Sequence, residues 1–333
     1  MRAVELQAVG AGLVVTDRPR PAAPEGGTVI DVTACGVCHS DVHVVDGVYP
    51  SPLPLVLGHE VTGVHPELGP VIVYAPWGCG RCRFCRAGDE MLCPDGREAG
   101  IFADGGYAEA MAVPDPRYLH PLDGLDPVTS APLACGGLTA FRAVKHTLPT
   151  LRAAGAAARP PNRVVVLGVG GLGQFAVQYL RLLTDAEVVA GDPSPAKQAR
   201  AVELGAAHAG TPDELADDLD APATVVLDFA GAEQSLAAAA RLVARQGLVV
   251  VVGLYGGRIP FGLGAVPHEA RFMSSIWGSP AELHELLALA RRERIEHTVE
   301  VMALADAEEA HQRLRRGEVA GRVVLVPQPQ GVA

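Results

Sequence analysis

The feature that most constrains the fold is a glycine-rich turn between a buried strand and an amphipathic helix. Arg163-Val-Val-Val-Leu167 has the β-branched content of a buried strand, and Gly168-Val-Gly170-Gly171-Leu172-Gly173 follows it directly. Apolar residues then recur at 172, 175, 176, 179, 180 and 183, which is the spacing of one helix face. The sequence therefore predicts the start of a parallel β-α-β unit.

The alternation of strand and helix continues downstream. Strands are predicted at Glu187–Ala190, Ala223–Asp228 and Leu248–Val252, with helices over 196–204 and 233–244 between them. This order predicts an α/β fold with a doubly wound parallel sheet. Before about residue 135, short apolar runs broken by Pro and Gly indicate a separate β-rich domain. A chain of 333 residues is also long enough for two domains.

Capping patterns predict further helices. Thr211-Pro-Asp-Glu214, Ser279-Pro-Ala-Glu282 and Asp306-Ala-Glu-Glu309 each join a cap residue to an acid three positions later. Arg322–Val326 is predicted to be a strand that returns to the first domain. The Ala-, Arg- and Pro-rich segment 151–162 is predicted to be an exposed connection.

The glycine turn and the acid after the next strand together favour a dinucleotide site. Gly168 suits a tight turn, Gly170 lets the backbone approach a pyrophosphate, and Gly173 lets the helix pack against its strand. Asp192 follows the next strand and is placed to bind ribose hydroxyls. Because a carboxylate repels a 2′-phosphate, NAD is favoured over NADP. The alternative is that Asp192 only caps the turn before Pro193.

Four of the seven cysteines form a compact local set, Cys79, Cys82, Cys85 and Cys93. Four thiolates at such short spacings can close a tetrahedral cage around zinc, which is typical of a structural site. An iron–sulfur cluster is the alternative. It is disfavoured because the fourth cysteine lies seven residues beyond the third and no second cysteine run exists. A nucleic-acid-binding zinc ribbon is disfavoured by the net charge of −11 and the 5% aromatic content.

A second group of ligands comes from distant segments. Cys38, Cys135 and the adjacent pair His59-Glu60 suit a catalytic zinc with one position open for substrate. Taken singly, a buried cysteine is more often a small apolar residue, which is how we interpret Cys35.

The expected environment is the cytoplasm. The sequence shows no basic n-region followed by an apolar run, and no stretch of about 20 apolar residues. An odd number of clustered cysteines without an export signal favours reduced thiols. The acidic charge balance disfavours nucleic-acid and membrane partners.

Several motifs, taken in order along nearly the whole chain, resemble one family. They are Gly36-Val-Cys38-His-Ser-Asp41-Val-His43, Gly58-His-Glu60, the four-cysteine segment, Gly105-Gly-Tyr-Ala-Glu109, Cys135-Gly-Gly-Leu-Thr139 and the glycine turn. Together they resemble the zinc-dependent alcohol dehydrogenases of the medium-chain dehydrogenase/reductase superfamily. Tyr74–Cys79 and Ile276–Gly278 are most similar to the bacterial secondary-alcohol and aryl-alcohol branch.

The resemblance implies a domain plan. A Rossmann NAD-binding domain would span 138–277, and a GroES-like, β-rich catalytic domain would combine 1–137 with 278–333. The structural zinc lobe would occupy 79–93. A homodimer or homotetramer would form through the Rossmann domain, at the strand segment Gly257–Phe261.

The resemblance also implies residue roles and a catalytic and a structural zinc ion in each chain. Cys38, His59 and Cys135 would bind the catalytic ion, with Glu60 as a transient ligand. Asp41 would orient His59. Ser40 would accept the alcohol proton, which would pass through the nicotinamide ribose to His43. The cofactor-binding residues would be Gly168, Gly170, Gly171, Leu172, Gly173, Asp192, Lys197, Thr139, Arg322 and His39, the last of which is as consistent with a surface histidine. The substrate pocket would include Tyr49, Trp77 and Trp277.

The implied reaction is the oxidation of a small-molecule alcohol to a ketone or aldehyde, or its reverse. The alcohol would ionise at zinc and pass hydride to nicotinamide. A polyol or sugar dehydrogenase of the same superfamily is the alternative. A zinc-free crystallin-like protein or an NADPH-binding sensor would lack the Cys38, His59 and Cys135 set. One departure from the family pattern is the short segment Val61–Pro70, which leaves the local sheet in doubt.

Overall fold

The computed structural model describes residues 1–154 and 162–327. The strands in these ranges are β1 (Arg2–Leu6), β2 (Val14–Asp17), β3 (Thr28–Gly36), β4 (Leu55–Val56), β5 (Glu60–His65), β6 (Gly69–Val73), β7 (Pro76–Trp77), β8 (Arg97–Glu98), β9 (Ala110–Val113), β10 (Leu119–Pro121), β11 (Arg163–Leu167), β12 (Glu187–Gly191), β13 (His208–Gly210), β14 (Ala223–Asp228), β15 (Val243–Val251), β16 (Arg271–Ser274), β17 (Val299–Ala303) and β18 (Arg322–Val326).

The α-helices of the described residues are α1 (His39–Val45), α2 (Arg83–Ala87), α3 (Pro127–Ser130), α4 (Gly136–Ala154), α5 (Gly173–Leu183), α6 (Pro195–Glu203), α7 (Pro212–Asp218), α8 (Glu233–Leu242), α9 (Pro280–Arg292) and α10 (Ala307–Arg315). None of the helices in the described ranges has the length and apolar content needed to cross a bilayer. The predicted connection 151–162 is helical at its start, where α4 runs on to Ala154, and its residues 155–161 lie outside the described residues.

The chain divides into two compact units. The first contains Met1–Leu138 and the residues from Gly278 onward, and the second is Thr139–Trp277.

The first unit is built around a seven-stranded sheet in the order β10-β6-β5-β3-β18-β17, with β9 also paired to β3. As predicted, the last strand returns to this domain, where Val324 and Leu325 of β18 pair with β3. A small apolar cluster joins the two strands to the segment before Cys135; it contains Ala34, Ala131, Val324 and Val326. The functional segments at both ends of the chain are therefore held by one sheet.

The short segment Val61–Pro70 does not interrupt this sheet. It forms a tight hairpin in which β5 and β6 pair from Thr62↔Ile72 to His65↔Gly69. His65 stabilises the turn because its Nδ1 accepts hydrogen bonds from the N–H groups of Glu67 (3.2 Å) and Leu68 (3.1 Å). The doubt raised by the sequence about this part of the sheet is thereby removed.

The second unit contains a six-stranded, entirely parallel sheet in the order β13-β12-β11-β14-β15-β16. This is the strand order of the Rossmann fold. The order in which successive strands are added reverses at β11, so β12 lies on one side of it and β14 on the other. Strand residues such as Val165 and Val226 pack against Leu215 of α7 and Leu242 of α8. The near-continuous Val and Leu content of these strands follows from burial on both faces.

One predicted helix end and one predicted side-chain cap were wrong. The helix predicted to 244 ends at Leu242, and β15 begins at the next residue because Val243 pairs with Ala223. Pairing within the sheet outweighs the helix propensity of the Ala-rich sequence. Asp306 makes no side-chain cap, since it ends a 3₁₀ turn over Leu304–Asp306 that leads directly into α10. The caps at Thr211 and Ser279 are confirmed as capping boxes.

Candidate active site

Four potential ligand residues converge inside the first unit. Cys38, His59, Glu60 and Cys135 each place a ligand atom within 4.8 Å of those of the others, and all four side chains are buried. Cys38 immediately precedes α1, His59 immediately precedes β5, which begins at Glu60, and Cys135 lies just before α4. The topology thus brings together three segments that are distant in sequence.

A capping box holds Cys38 and Asp41 in a fixed relation. The N–H of Cys38 donates to Asp41 Oδ2 at 2.8 Å, three residues along α1. The other carboxylate oxygen, Oδ1, lies 3.0 Å from Nδ1 of His59. A carboxylate at Nδ1 favours the tautomer that leaves Nε2 unprotonated, which is the form that binds a metal.

Glu60 connects this group to the C-terminal strand. Its Oε1 accepts from the N–H of Gly136 at 3.1 Å and from the guanidinium of Arg322, in an ion pair in which both side chains are buried. Its Oε2 is buried and has no hydrogen-bond partner among the described residues. A buried carboxylate oxygen without a partner, beside two thiols and an imidazole, fits a cation at this position.

The buried groups shift one another's pKa values. The hydrogen bond from Cys135 lowers the pKa of Cys38 well below its usual range, and His59 adds to the effect. Burial alone lowers the pKa of His59, but the Asp41 carboxylate outweighs it and raises the pKa well above the usual value. Burial raises the pKa of Glu60 to about 7 against the opposing effect of Arg322. A thiolate at Cys38 is the form that binds a metal.

The four-cysteine segment forms a second, half-exposed group. Cys79, Cys82, Cys85 and Cys93 also place their sulfurs within 4.8 Å of one another, and none is in a disulfide. Cys82 Sγ lies 3.5 Å from Cys85 Sγ and 3.8 Å from Cys93 Sγ. Zinc–sulfur bonds of about 2.3 Å in a tetrahedron give sulfur separations of about 3.8 Å. The spacing of these sulfurs therefore fits a zinc ion.

Backbone N–H groups turn toward the sulfurs of this lobe, which we define as residues 79–93. Cys85 N–H donates to Cys82 Sγ at 3.4 Å, and Cys79 N–H donates to Cys93 Sγ at 3.3 Å. Backbone hydrogen bonds from Arg81 and Cys82 lower the pKa of Cys79 to about 6. Each N–H donor favours the thiolate form of the sulfur that it faces, which is the form that binds a cation. Burial opposes this effect and raises the pKa of Cys93.

The second unit contains the glycine turn, between β11 and α5. Gly168 has φ +84°, and a Cβ on Gly173 would lie 2.0 Å from the carbonyl oxygen of Gly168. Neither position tolerates another residue without movement, while a Cβ on Gly170 would meet no atom within 4 Å. Gly171 and Leu172 complete the turn. The backbone at Gly170 is therefore open for the approach of a ligand, as the motif predicts.

Asp192 binds the glycine turn directly. Its Oδ2 accepts from the N–H of Val169 at 2.8 Å, and its Oδ1 accepts from the N–H of Ser194 at 2.9 Å. The second contact is the capping interaction considered in the sequence analysis. Lys197 is half-buried and is the third residue of α6, which begins at Pro195. Ribose recognition by Asp192 and Lys197 stays a prediction.

The structure places the remaining predicted residues as follows. Ser40 Oγ lies 3.8 Å from Cys38 Sγ, His43 is half-buried in the last turn of α1, and His39 is exposed. Burial raises the pKa of Tyr49, and the charges of Cys38 and Cys135 add to it, which places this phenol near the buried group.

The described contacts of the two tryptophans do not involve the buried group, unlike those of Tyr49. The ring of Trp77 packs on Tyr118 and its N–H donates to the carbonyl of Tyr74. Trp277 is buried with φ +51° at the end of the second unit, and Thr139 is buried at the start of that unit. The pocket roles of both tryptophans and the cofactor role of Thr139 stay predictions.

Two residues near the buried group were not given a role by the sequence. The Tyr107 hydroxyl donates to Asp41 Oδ2 at 3.1 Å and lies 3.1 Å from Nε2 of His311. Tyr107 belongs to a Gly-Gly-Tyr motif that the sequence analysis quoted without a function. His311 had no signal, because its contact with Tyr107 spans 204 residues.

Comparison with known proteins agrees with this arrangement. Residues 24–124 match the alcohol dehydrogenase GroES-like domain, and residues 171–292 match the zinc-binding dehydrogenase family. The NAD-dependent alcohol dehydrogenase of Sulfurisphaera tokodaii is 33% identical, over 98% of this chain and 100% of that protein. The D-arabinose 1-dehydrogenase (NADP(+)) of Saccharolobus solfataricus is 31% identical over 91% of each. The crystal structure of the alcohol dehydrogenase from Aeropyrum pernix has a TM-score of 0.89 at 32% identity, covering 98% of this chain and 100% of that one.

The chain therefore belongs to the zinc-dependent alcohol dehydrogenases of the medium-chain dehydrogenase/reductase superfamily. The predicted family, fold class and enzyme class are confirmed. The residue roles, the domain boundaries and the cytoplasmic location stay predictions.

Proposed function

We propose that this protein catalyses the NAD-linked oxidation of an alcohol to a ketone or aldehyde, and the reverse reduction. The observation that carries the proposal is the buried convergence of Cys38, His59, Glu60 and Cys135. The coarser class rests on family membership, and the substrate type is the part proposed here. Secondary alcohols, or aryl and aliphatic primary alcohols, are the substrate classes we favour.

In this proposal Cys38, His59 and Cys135 hold a catalytic zinc ion, and Glu60 provides a carboxylate that can approach it. When bound, zinc polarises the hydroxyl of the alcohol and lowers its pKa. Asp41 keeps the imidazole of His59 in the metal-binding tautomer. Two thiolates and one imidazole leave one position of a tetrahedral ion for substrate.

The chain supplies the remaining steps through its own side chains. Ser40 would accept the alcohol proton, and its Oγ lies 3.8 Å from Cys38 Sγ. His43 is on the same helix and is the proposed exit for that proton toward solvent. NAD⁺ supplies the hydride acceptor when it binds at the glycine turn. Asp192 and Lys197 would hold its adenosine ribose, Arg322 and His39 its pyrophosphate, and Thr139 its nicotinamide.

The lobe over residues 79–93 would hold the second, structural ion, with no ligand position left for substrate. The expected metal content is about two zinc ions per chain, one for each of the two ligand groups. Elemental analysis of the purified protein measures this content. A content of about one or none would favour the zinc-free binding proteins of the superfamily.

A polyol or sugar dehydrogenase is the second candidate. It is favoured by the similarity to D-arabinose 1-dehydrogenase (NADP(+)), which differs from the other relative in both substrate and cofactor. The aromatic residues that the family resemblance assigns to the substrate pocket, Tyr49, Trp77 and Trp277, would favour apolar alcohols instead. A screen of secondary, benzylic and polyhydric alcohols with NAD⁺ and NADP⁺, following NAD(P)H absorbance, separates the two candidates.

We also propose that the protein forms a homodimer or homotetramer through the second unit. The predicted pairing strand Gly257–Phe261 was wrong, because residues 257–261 form no strand. Strand β16 is at the edge of the parallel sheet, and Phe261 and Leu263 in the segment before it are 71% and 96% exposed. An open sheet edge beside exposed apolar side chains is a surface on which a second copy can pair. Light scattering coupled to gel filtration gives the mass. A monomer at micromolar concentration would contradict the proposal.

A further inference from the structure

A hydrogen-bonded chain of buried groups extends from His59 to the C-terminal helix of the first unit. Asp41, Tyr107 and His311 are 0%, 0% and 3% exposed. The Tyr107 hydroxyl lies 3.1 Å both from Asp41 Oδ2 and from His311 Nε2. The rings of Tyr107 and His311 meet edge to face, with centroids 5.8 Å apart. The pair therefore lies directly behind the carboxylate that contacts the candidate ligand His59.

The direction of each hydrogen bond in this chain follows from the groups present. An ionised Asp41 only accepts, so the Tyr107 hydroxyl donates its single proton to Oδ2. Nε2 of His311 must then donate to the Tyr107 oxygen, which assigns His311 the Nε2–H tautomer. Burial lowers the pKa of His311, which agrees with a neutral ring. Every donor in the chain consequently points toward Asp41.

This direction determines how Asp41 can face His59. Oδ2 already accepts from the N–H of Cys38 and from Tyr107, while Oδ1 lies 3.0 Å from His59 Nδ1. A carboxylate held through one oxygen cannot rotate without breaking those two bonds. The orientation of the imidazole therefore depends on the two groups that hold Oδ2, the Cys38 N–H and the Tyr107 hydroxyl.

The backbone around Tyr107 keeps its hydroxyl in place. Tyr107 N–H donates to the carbonyl of Leu57 at 2.9 Å, and its carbonyl accepts from Val4 N–H at 2.8 Å. Its ring packs on Gly58, where a Cβ would lie 2.3 Å from the ring. Because Gly58 precedes His59, the same tyrosine contacts the backbone beside the ligand and the carboxylate behind it.

A second contact joins the two helices that carry this chain. Arg315 of α10 forms a two-bond ion pair with Asp46 at the end of α1, at 2.6 and 3.0 Å. His311 lies one turn earlier on α10, and Asp41 lies in the first turn of α1. Helix α10 is thus linked to α1 near both ends of α1. Tyr107 makes the link at the start of α1, and Arg315 makes it at the end.

We propose that Tyr107 and His311 are positioning residues for His59, which act through Asp41 to hold the imidazole in its metal-binding orientation. This inference rests on the proposed function, because it assumes that His59 is a zinc ligand. It differs from a simple core-packing role, which would depend on the size of the two rings and not on their hydrogen-bond donors.

The first test compares Tyr107→Phe with Tyr118→Phe. Both changes remove one buried hydroxyl and keep the ring, but Tyr118 donates to Glu90 beside the lobe instead of to Asp41. The readout is zinc release from the holoprotein to a chromophoric chelator. Zinc release from the buried group is identified as the kinetic phase that is absent in Cys38→Ser. Groups that contact a ligand directly alter metal affinity by roughly 10–100-fold, so one bond further out we expect about threefold to tenfold faster release in Tyr107→Phe.

Tyr118→Phe should leave this release phase within about twofold of wild type, since its hydroxyl has no contact with Asp41. Equal release rates for Tyr107→Phe and wild type would overturn the inference. If the wild-type protein holds no zinc at the buried group, the proposed function itself has failed. The two failures are therefore distinguishable.

The second test uses His311. A glutamine has an N–H donor at about the reach of Nε2, so His311→Gln should keep wild-type release, while His311→Leu should resemble Tyr107→Phe. The double variant Tyr107→Phe/His311→Leu should release zinc no faster than Tyr107→Phe, because His311 acts only through the hydroxyl. Equal impairment in His311→Gln and His311→Leu, or additive effects in the double variant, would indicate packing and overturn the inference.

Discussion

The two candidate metal groups of this protein are built in opposite ways. The lobe takes all four sulfurs from residues 79–93, leaves them half-exposed and surrounds them with backbone N–H donors. The buried group takes its ligands from segments as distant as Cys38 and Cys135 and is backed by the charged side chains Asp41 and Arg322. Local chain geometry therefore makes the first group, and the assembled sheet makes the second.

Each group also has a glutamate–arginine pair beside it, in contrasting surroundings. Glu60 and Arg322 are 0% and 5% exposed, whereas Glu90 and Arg117 are 10% and 43% exposed. A charge pair out of water depends on both partners, while one near the surface is replaced by solvent. The buried group should consequently be the more sensitive of the two to single substitutions.

The largest effect is expected from removing a ligand of the buried group. Cys38→Ser or His59→Ala should lower turnover by on the order of 10³-fold or more, because several kcal/mol of charge stabilisation are lost with the metal. NADH binding should be largely retained, since the glycine turn belongs to the other unit. Steady-state kinetics and NADH fluorescence titration measure the two quantities. Substantial turnover in metal-free protein would contradict the zinc mechanism.

The next largest effect separates the two ion pairs. Arg322→Met leaves Glu60 buried without its partner and should reduce the free energy of unfolding by about 3–5 kcal/mol. Arg117→Met removes a half-exposed partner and should cost about 1 kcal/mol or less. Chemical denaturation of the zinc-loaded proteins measures both. Similar losses for the two variants would remove the distinction between the regions.

Substitution within the lobe should affect stability more than chemistry. Cys82→Ser removes one sulfur and an acceptor for the Cys85 N–H, and should reduce the zinc content to about one per chain. A loss of about 2–3 kcal/mol corresponds to a Tm lower by roughly 5–10 °C. Turnover per folded molecule should stay within a few-fold of wild type. A collapse of turnover at a temperature well below the Tm would show that the lobe takes part in catalysis.

The smallest effect concerns the carboxylate behind His59. Asp41→Asn keeps the shape of the side chain but loses its charge, and should weaken zinc binding at the buried group by roughly 10–100-fold. Asp46→Asn is a matched control on the same helix, because its carboxylate pairs with Arg315 near the surface. Competition with a chelator of known affinity measures the change. Equal zinc affinities for the two variants would show that Asp41 does not support the metal site.

The same contrast between local and long-range structure decides which features the sequence alone could predict. The capping boxes at Thr211 and Ser279 and the strand at Arg163–Leu167 are local patterns, and the structure confirms them. The end of α8 was misplaced because the pairing of Val243 with Ala223 is a tertiary contact. The hairpin at Val61–Pro70 was uncertain because this segment is shorter than the family pattern, and only the pairing of β5 with β6 shows that the sheet continues there.

The candidate site divides in the same way. The lobe can be recognised from cysteine spacing alone, whereas the set of Cys38, His59 and Cys135 needed the context of several motifs. Tyr107 lies in a motif that gave it no role, and His311 had no signal at all. Their contact depends on a C-terminal helix that packs against α1, and no local pattern encodes such a pairing.

The central claim is that the buried group holds a zinc ion through Cys38, His59 and Cys135, independently of the lobe. Anomalous diffraction from crystals of the purified protein, collected on both sides of the zinc absorption edge, tests it most directly. The account predicts a zinc peak bound by those three side chains and a separate peak among the four lobe cysteines. A peak in the lobe alone, with the three buried side chains turned away from one another, would contradict it.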